Sequence, residues 1–365
     1  MMEVTIFGSD YGESIVICYP SARGIECGVV DCYSRNHPPH LNPVLQHLHR
    51  RVGRGPLAFV IATHPHDDHI RGLGQILEEF GQRIEFFGWW GGVGMTYTKV
   101  YFERLERQYR LRGHGHALGI SSKSVTRILD AIHEHPISRV QDSTDGLPCP
   151  FYETPKRRAG SVPFRIKALS PWLPLQSAYL RRLVGGVELD GHIEEHRAAI
   201  NQTSLGLLIE YGDARIILGG DVEFENWNYA FERGALRGFR GAHLVKLPHH
   251  GSRTGMQPDL WTRVAPFVAP SPHRTIAVAT RYHLGNTSLP EHLAMRRLAS
   301  AGCDEVWIVA GADRHHAASN ANASVGHKGA SPLVQSQFRA YLTPDGQVRV
   351  DPSVDPNGLN LRVRA

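Results

Sequence analysis

The sequence predicts a mixed α/β protein whose short apolar strands end in clusters of histidine, aspartate and glycine. Three observations carry this expectation. The run Leu57-Ala58-Phe59-Val60-Ile61-Ala62 reads as a buried strand, and Ile70, Leu73, Leu77 and Phe80 follow it at helical spacing. The loop between them is Thr63-His64-Pro65-His66-Asp67-Asp68-His69. The same plan, an apolar strand and then a polar tip, recurs at Gly219-Gly220-Asp221 and at Pro248-His249-His250-Gly251.

Taken in order, Val4–Phe7, Ser14–Tyr19 and Ile25–Asp31 read as strands separated by glycine- and proline-bearing turns. Leu41, Val44, Leu45, Leu48 and Val52 suit an amphipathic helix. His37, His40, His47 and His49 are spaced irregularly and read as surface residues. Arg83–Trp90 is a strand ending in two tryptophans, which read as core, with stacking on a substrate ring as the alternative. From Thr96 to His135 the pattern is helical, in two stripes broken around Gly113–Gly119. The first stripe carries Lys99, Arg104, Arg107, Arg110 and Arg112. It reads as a solvated face, the alternative being a nucleic-acid track.

Gln141–Val162 reads as a long loop, and Phe164–Leu169 as a strand. Gln176–Val184 suits a helix, followed by a polar stretch that includes His196. Ser204–Glu210 and Arg215–Leu218 form a hairpin, ending in two glycines that let the backbone approach something closely before Asp221. Ala242–Leu247, Thr275–Thr280 and Glu305–Ala310 are further strands, with a helix over Pro290–Ala301. Gln335–Thr343 and Gln347–Val350 are the last, after an Ala/Asn/His-rich segment.

The 365 residues, 41% of them apolar, suffice for one large domain or two ordinary ones. Forty basic against 35 acidic residues leave a net charge of +5, which admits an anionic substrate without requiring one. The five cysteines contain no C-x-x-C pair, so neither a disulfide framework nor a cysteine zinc site is expected. No basic-then-apolar leader and no run of eighteen apolar residues is read, so the expectation is a cytoplasmic protein without a membrane partner.

The chemistry sits in the central loop. In an extended loop His64 and His66 project to one side, and Pro65 disfavours a helical backbone at His64. Asp68 and His69 follow as the chain turns into the helix. Neutral imidazole and carboxylate are ligands for a borderline-soft divalent ion, and two such pairs suit two adjacent metals.

With H-x-H-x-D-H at His64 to His69, Gly220-Asp221, and Lys246-Leu247-Pro248-His249-His250-Gly251-Ser252 in this order, the chain resembles the metallo-β-lactamase superfamily. Within it, the likeness is to the hydrolase domain of ComEC-like competence proteins, with Gly8 to Asp31 and Asn201-Gln202-Thr203-Ser204-Leu205 matching further. The resemblance implies an α/β fold, a four-layer αββα metallo-β-lactamase sandwich with the metals at the strand tips. It is read over 1–365 as one domain, with 90–160 as a helical insertion. It implies His64 and His66 on a first metal, Asp68 and His69 on a second, Asp221 bridging, and His250 completing the second. His249 is a support behind the ligands or a substrate contact, and Asp67 no ligand. An additional metal histidine of the superfamily is absent at Asn201, with His196 as a substitute. A late histidine is absent near Ser288-Leu289-Pro290, with His283 as a substitute.

The implied cofactors are two divalent ions, zinc with manganese as the alternative. The expected activity is a phosphodiesterase or nuclease acting on nucleic acid or another phosphodiester through a metal-bound hydroxide, with Asp68, His249 and Lys246 catalytic. Lys246 and Ser252 are placed to meet a phosphate, unless Lys246 points into the fold. The competing readings are a small-molecule hydrolase for lactones, thioesters, lactams or small phosphodiesters, and an inactive metal-binding module.

Overall fold

In a computed structural model, the described residues are 1–9, 11–34, 38–90, 121–142, 150–154, 162–171, 200–237, 241–256, 260–264, 272–291, 303–309, 336–351 and 361–363, with isolated residues between them. They form two eight-stranded sheets. Sheet one runs, in spatial order, β17 (Val348–Val350), β16 (Ser336–Leu342), β1 (Met2–Gly8), β2 (Glu13–Ser21), β3 (Gly24–Val30), β4 (Phe59–Ala62), β5 (Phe87–Trp89) and β6 (Val140–Asp142). Sheet two runs β18 (Leu361–Val363), β15 (Glu305–Val309), β12 (Ile276–Thr280), β11 (Leu244–Lys246), β10 (Ala214–Leu218), β9 (Leu207–Tyr211), β8 (Phe164–Ala168) and β7 (Pro150–Glu153). A separate hairpin joins β13 (Tyr282–Leu284) to β14 (Thr287–Leu289).

Each sheet has a parallel block. In sheet one it is β3, β4, β5 and β6, and in sheet two β10, β11, β12 and β15. Ligands of such sheets gather outside the carboxyl ends of the strands. Asp31, Thr63, Asp221, His249 and Thr280 all stand at or just past those ends.

Period-two alternation divides sheet two between two cores. Leu207, Ile209, Ile216, Leu218, Leu244, Ile276 and Val278 face sheet one. Leu208, Ile217, Val245, Ala277 and Ala279 face outward, where Trp227 of a helix covers them. The outer face of sheet one is covered by α1 (Pro43–Val52), α3 (Leu73–Phe80) and α4 (Ser122–Glu134), and that of sheet two by α5 (Phe224–Glu232). The architecture is thus an α/β sandwich of four layers. Helix α1 starts after Leu41, which lies exposed in a preceding 3-10 turn, because Asn42 accepts from the Val44 and Leu45 amides and Pro43 opens the first turn.

Several expectations are corrected. The expected loop Gln141–Val162 contributes β6 and β7, and Phe151 and Tyr152 of β7 enter the core. His47 is not on the surface but buried, 3.3 Å from Glu3. Cys18 and Cys27 form a disulfide, because the β2–β3 register sets them opposite one another. Helix α5 and β18 lie where no element was expected. Trp89 and Trp90 are core, as the first of their two readings had it. Arg104, Arg110, Arg112, Gln176–Val184 and His196 lie outside the described residues.

Candidate metal centre

The loop between β4 and α3 begins with Thr63 and closes with a single helical turn, α2 (Asp67–Ile70). His66 immediately precedes that turn with extended backbone (φ −72°, ψ 142°). This leaves His64 and His66 side by side, with His64 Nε2 and His66 Nδ1 3.0 Å apart. At that distance one ring donates to the other, or both lone pairs are turned to a shared cation.

Asp221 reaches the same place from sheet two. Its Oδ2 lies 3.3 Å from His64 Nε2 and 4.0 Å from His66 Nδ1. Its Oδ1 lies 3.2 Å from His69 Nε2. The two oxygens of one carboxylate thus face two groups, His64–His66–Asp221 and Asp68–His69–Asp221–His250, all buried. In the second group His250 Nε2 is 3.3 Å and His69 Nε2 3.9 Å from Asp68 Oδ2.

A divalent cation fits this arrangement by a simple test. His69 Nε2 and Asp221 Oδ1, 3.2 Å apart, are buried polar atoms with no hydrogen-bond partner. Such groups are costly to leave unmatched, and an ion is what this donor set would match. Electrostatics agree. Burial opposes the charge on Asp221, yet His249, His69 and His64 hold its carboxyl well below the ordinary range. Burial opposes the charge on His69 too, yet Asp221, Asp68 and Asp31 push it well up. Burial dominates at His66, which drops to about 4 and stays a neutral base.

The close approach foreseen at the two glycines is real. A Cβ on Gly219 would fall 2.6 Å from Pro248 Cα, and one on Gly220, at φ 49°, would meet Ser204 Oγ at 2.6 Å. That packing delivers the turn carrying His249 and His250, both left-handed at φ 47° and 53°. Strained backbone on bulky residues clusters at functional sites. The paired twist sends the two imidazoles in different directions. His250 joins the second group. His249 is a quarter exposed and stands on the first group's side, its Nε2 3.9 Å from Asp221 Oδ2 and its Nδ1 3.4 Å from Glu223 Oε1.

Four supporting residues were missed by sequence reasoning. Asp31, left-handed at φ 55°, accepts from Thr63 N and Oγ1 at 2.8 and 2.6 Å, and from His69 Nδ1 at 2.8 Å. Glu13, Thr280 and Glu223 complete the set. The available signal was position, since Asp31 ends an apolar strand just as Asp221 does.

Lys246 is corrected. It follows Leu244 on the inward-facing side of β11, is wholly buried, and places Nζ 2.6 Å from Glu13 Oε2. It points into the fold and does not meet a substrate. Ser252 Oγ turns to the Thr254 amide. Asp67 Oδ1 accepts from Ser124 Oγ of α4 at 2.8 Å, tethering that helix to the loop. Asn201 contacts Glu223, not the two groups, and His283 stands in the β13–β14 hairpin outside them.

No family model and no curated protein matches the chain. Among solved structures, the chain is similar to the metallo-β-lactamase fold protein YhfI from Bacillus subtilis, at 16% identity over 85% of this chain and 95% of that one, TM-score 0.39. It is similar to unliganded yeast PDE1, at 14% identity over 85% and 97%, TM-score 0.38. Zn(2+)-bound PqqB from Methylobacterium extorquens follows at 12% identity over 83% and 96%, TM-score 0.38. Likeness at this level says nothing of the chain's activity.

Proposed function

We propose that the chain is a metal-dependent hydrolase of the metallo-β-lactamase superfamily and that its substrate is a phosphodiester, nucleic acid foremost. The observation that carries this reading is the single carboxylate of Asp221 facing two buried His/Asp groups, one on each oxygen. Two divalent ions held there, zinc or manganese, would supply an activated water and neutralise the charge that develops on a phosphoryl group under attack.

The chain's own residues do the rest. His64, His66 and Asp221 form one ligand set, and Asp68, His69, Asp221 and His250 the other. Asp68 orients the attacking water. His249 Nε2 gives its proton to the leaving oxygen. Glu223, 3.4 Å from His249 Nδ1, holds that ring and favours its charged form. Burial opposes that charge, but Asp221 and Glu223 outweigh it and raise His249 above the ordinary histidine range.

The test is hydrolysis of bis(p-nitrophenyl) phosphate and of labelled single- and double-stranded DNA, with zinc or manganese added. Asp68→Ala and His250→Ala should abolish cleavage. His249→Ala should keep the bound metal and lose about 10²-fold or more in kcat. Cleavage of DNA should weaken steeply with added salt, while that of the small diester should not. Stoichiometric metal with no cleavage of any phosphodiester would sink the substrate assignment and leave a lactone, thioester or lactam hydrolase.

A further inference from the structure

Behind His250 lies a chain of hydrogen bonds that fixes which of its nitrogens carries the proton. Glu13 begins β2 in sheet one and is 1% exposed. Its Oε2 lies 2.6 Å from Lys246 Nζ and accepts from Thr280 Oγ1 at 2.5 Å. A carboxylate paired with a lysine only accepts, so the Thr280 hydroxyl proton is committed to Glu13. The hydroxyl oxygen is then left as an acceptor, and His250 Nδ1 stands 2.9 Å from it. His250 Nδ1 also lies 3.3 Å from the Thr280 carbonyl oxygen, which cannot donate at all. Both neighbours require a proton on Nδ1. His250 Nε2, 3.3 Å from Asp68 Oδ2, is thereby the nitrogen turned into the second group, where it donates to that carboxylate until a cation takes its lone pair.

The same device occurs once more in the centre. Thr63 gives its hydroxyl proton to Asp31 at 2.6 Å and accepts from His64 Nδ1 at 3.0 Å, which leaves the His64 Nε2 lone pair facing Asp221. A carboxylate, a threonine and an imidazole in series therefore stand behind a histidine of each group. Supporting partners of this kind orient a ligand ring and set its tautomer.

We propose that Glu13, Lys246 and Thr280 are positioning residues that hold His250 with its Nδ1 protonated and its Nε2 lone pair presented to the second cation. The proposal rests on the metal-centre reading for the cation and on geometry alone for the tautomer. Lys246 is the anchor. It neutralises Glu13 inside the sandwich and spends a second donor on the Leu247 carbonyl at 2.9 Å. Glu13 Oε2 itself lies 3.5 Å from His250 Nδ1, and Thr280 bridges the two at 2.5 and 2.9 Å.

Two readouts separate the relay from the metal. The first is the nitrogen spectrum of ¹⁵N-histidine-labelled protein without metal, with His250 assigned from His250→Gln. Wild type should show a protonated Nδ1, with Nε2 as the nitrogen whose signal moves when cation is added. In Thr280→Val this preference should relax, and Thr280→Ser, which keeps the hydroxyl, should restore it. The second readout is equilibrium binding of zinc or manganese to the full chain. Thr280→Val should weaken one of two equivalents by roughly 10–100-fold and leave the other in place, again with rescue by serine. Glu13→Gln, whose amide can donate to Thr280, should do the same; Lys246→Met is avoided because it strands a buried carboxylate. A wild-type spectrum with Nδ1 bare would overturn the relay, as would Thr280→Val binding both equivalents like wild type. A wild type that binds no cation would overturn the metal-centre reading instead, with the spectrum still deciding the relay.

Discussion

The first group, His64, His66 and Asp221 Oδ2, comes almost whole from one loop, whereas the second draws Asp68 and His69, Asp221 Oδ1 and His250 from three separate strand ends. The first offers three protein ligands and keeps one side facing the quarter-exposed His249. The second offers four, all buried. Its His69 is held by Asp31 directly, and its His250 by Thr280. A closed set of ligands suits a resident ion, and an open one leaves room for water and substrate. If both groups hold cations as proposed, the difference predicts a tighter second site and a first site more open to water and substrate.

The largest test of this division removes what the halves share. Asp221→Ala should cost both cations their affinity and lose more activity than the roughly 10–100-fold that removing a supporting partner costs. Metal content after dialysis checks it. If one full equivalent stayed bound at wild-type affinity, the halves would not share a ligand.

A smaller effect is expected at Asp31, which supports His69 of the second half directly and His64 of the first through Thr63. Asp31→Asn should weaken both equivalents together by about 10-fold or more. Weakening of one alone, read by titration with a competing chelator, would show that the two supports are independent.

The smallest effect serves as a control for acid sensitivity away from the centre. His243 precedes β11, at the end of that strand opposite Lys246, and its Nδ1 accepts from the Arg215 amide at 3.1 Å. Burial first, then His273 and Arg215, lower it from 6.5 to about 4. The unfolded chain therefore takes up a proton that the folded chain resists. The stability this contributes is full above pH 6.5 and is lost as the pH falls towards 4. His243→Asn should flatten that part of the Tm–pH curve measured without metal, and an unchanged curve would assign the acid loss elsewhere.

What the sequence made legible follows the same division. His64 to His69 lie in consecutive positions, so one loop displays its chemistry without knowledge of the fold. The Gly219-Gly220 pair announced a close approach, which the structure fills with Pro248 and Ser204. Lys246 was ambiguous, because an apolar strand of three residues does not tell which face its last side chain takes until the partner sheet is known. Glu13 and Thr280 were invisible, being 267 residues apart and joined only when the two sheets meet. The Cys18–Cys27 bond escaped for a related reason, since a hairpin's register, not a spacing motif, set the pair opposite.

The second group has a consequence for the whole molecule. Asp68 and His69 hang from sheet one, Asp221 and His250 from sheet two, and the Glu13–Lys246 pair crosses the same gap. A cation bound there would clasp the two sheets together, and would bind the folded chain far better than the unfolded one. By mass action, free cation at a hundred times its dissociation constant adds about 2.7 kcal/mol to the folding equilibrium. The melting temperature of the sandwich then becomes a gauge of the cation supply around it.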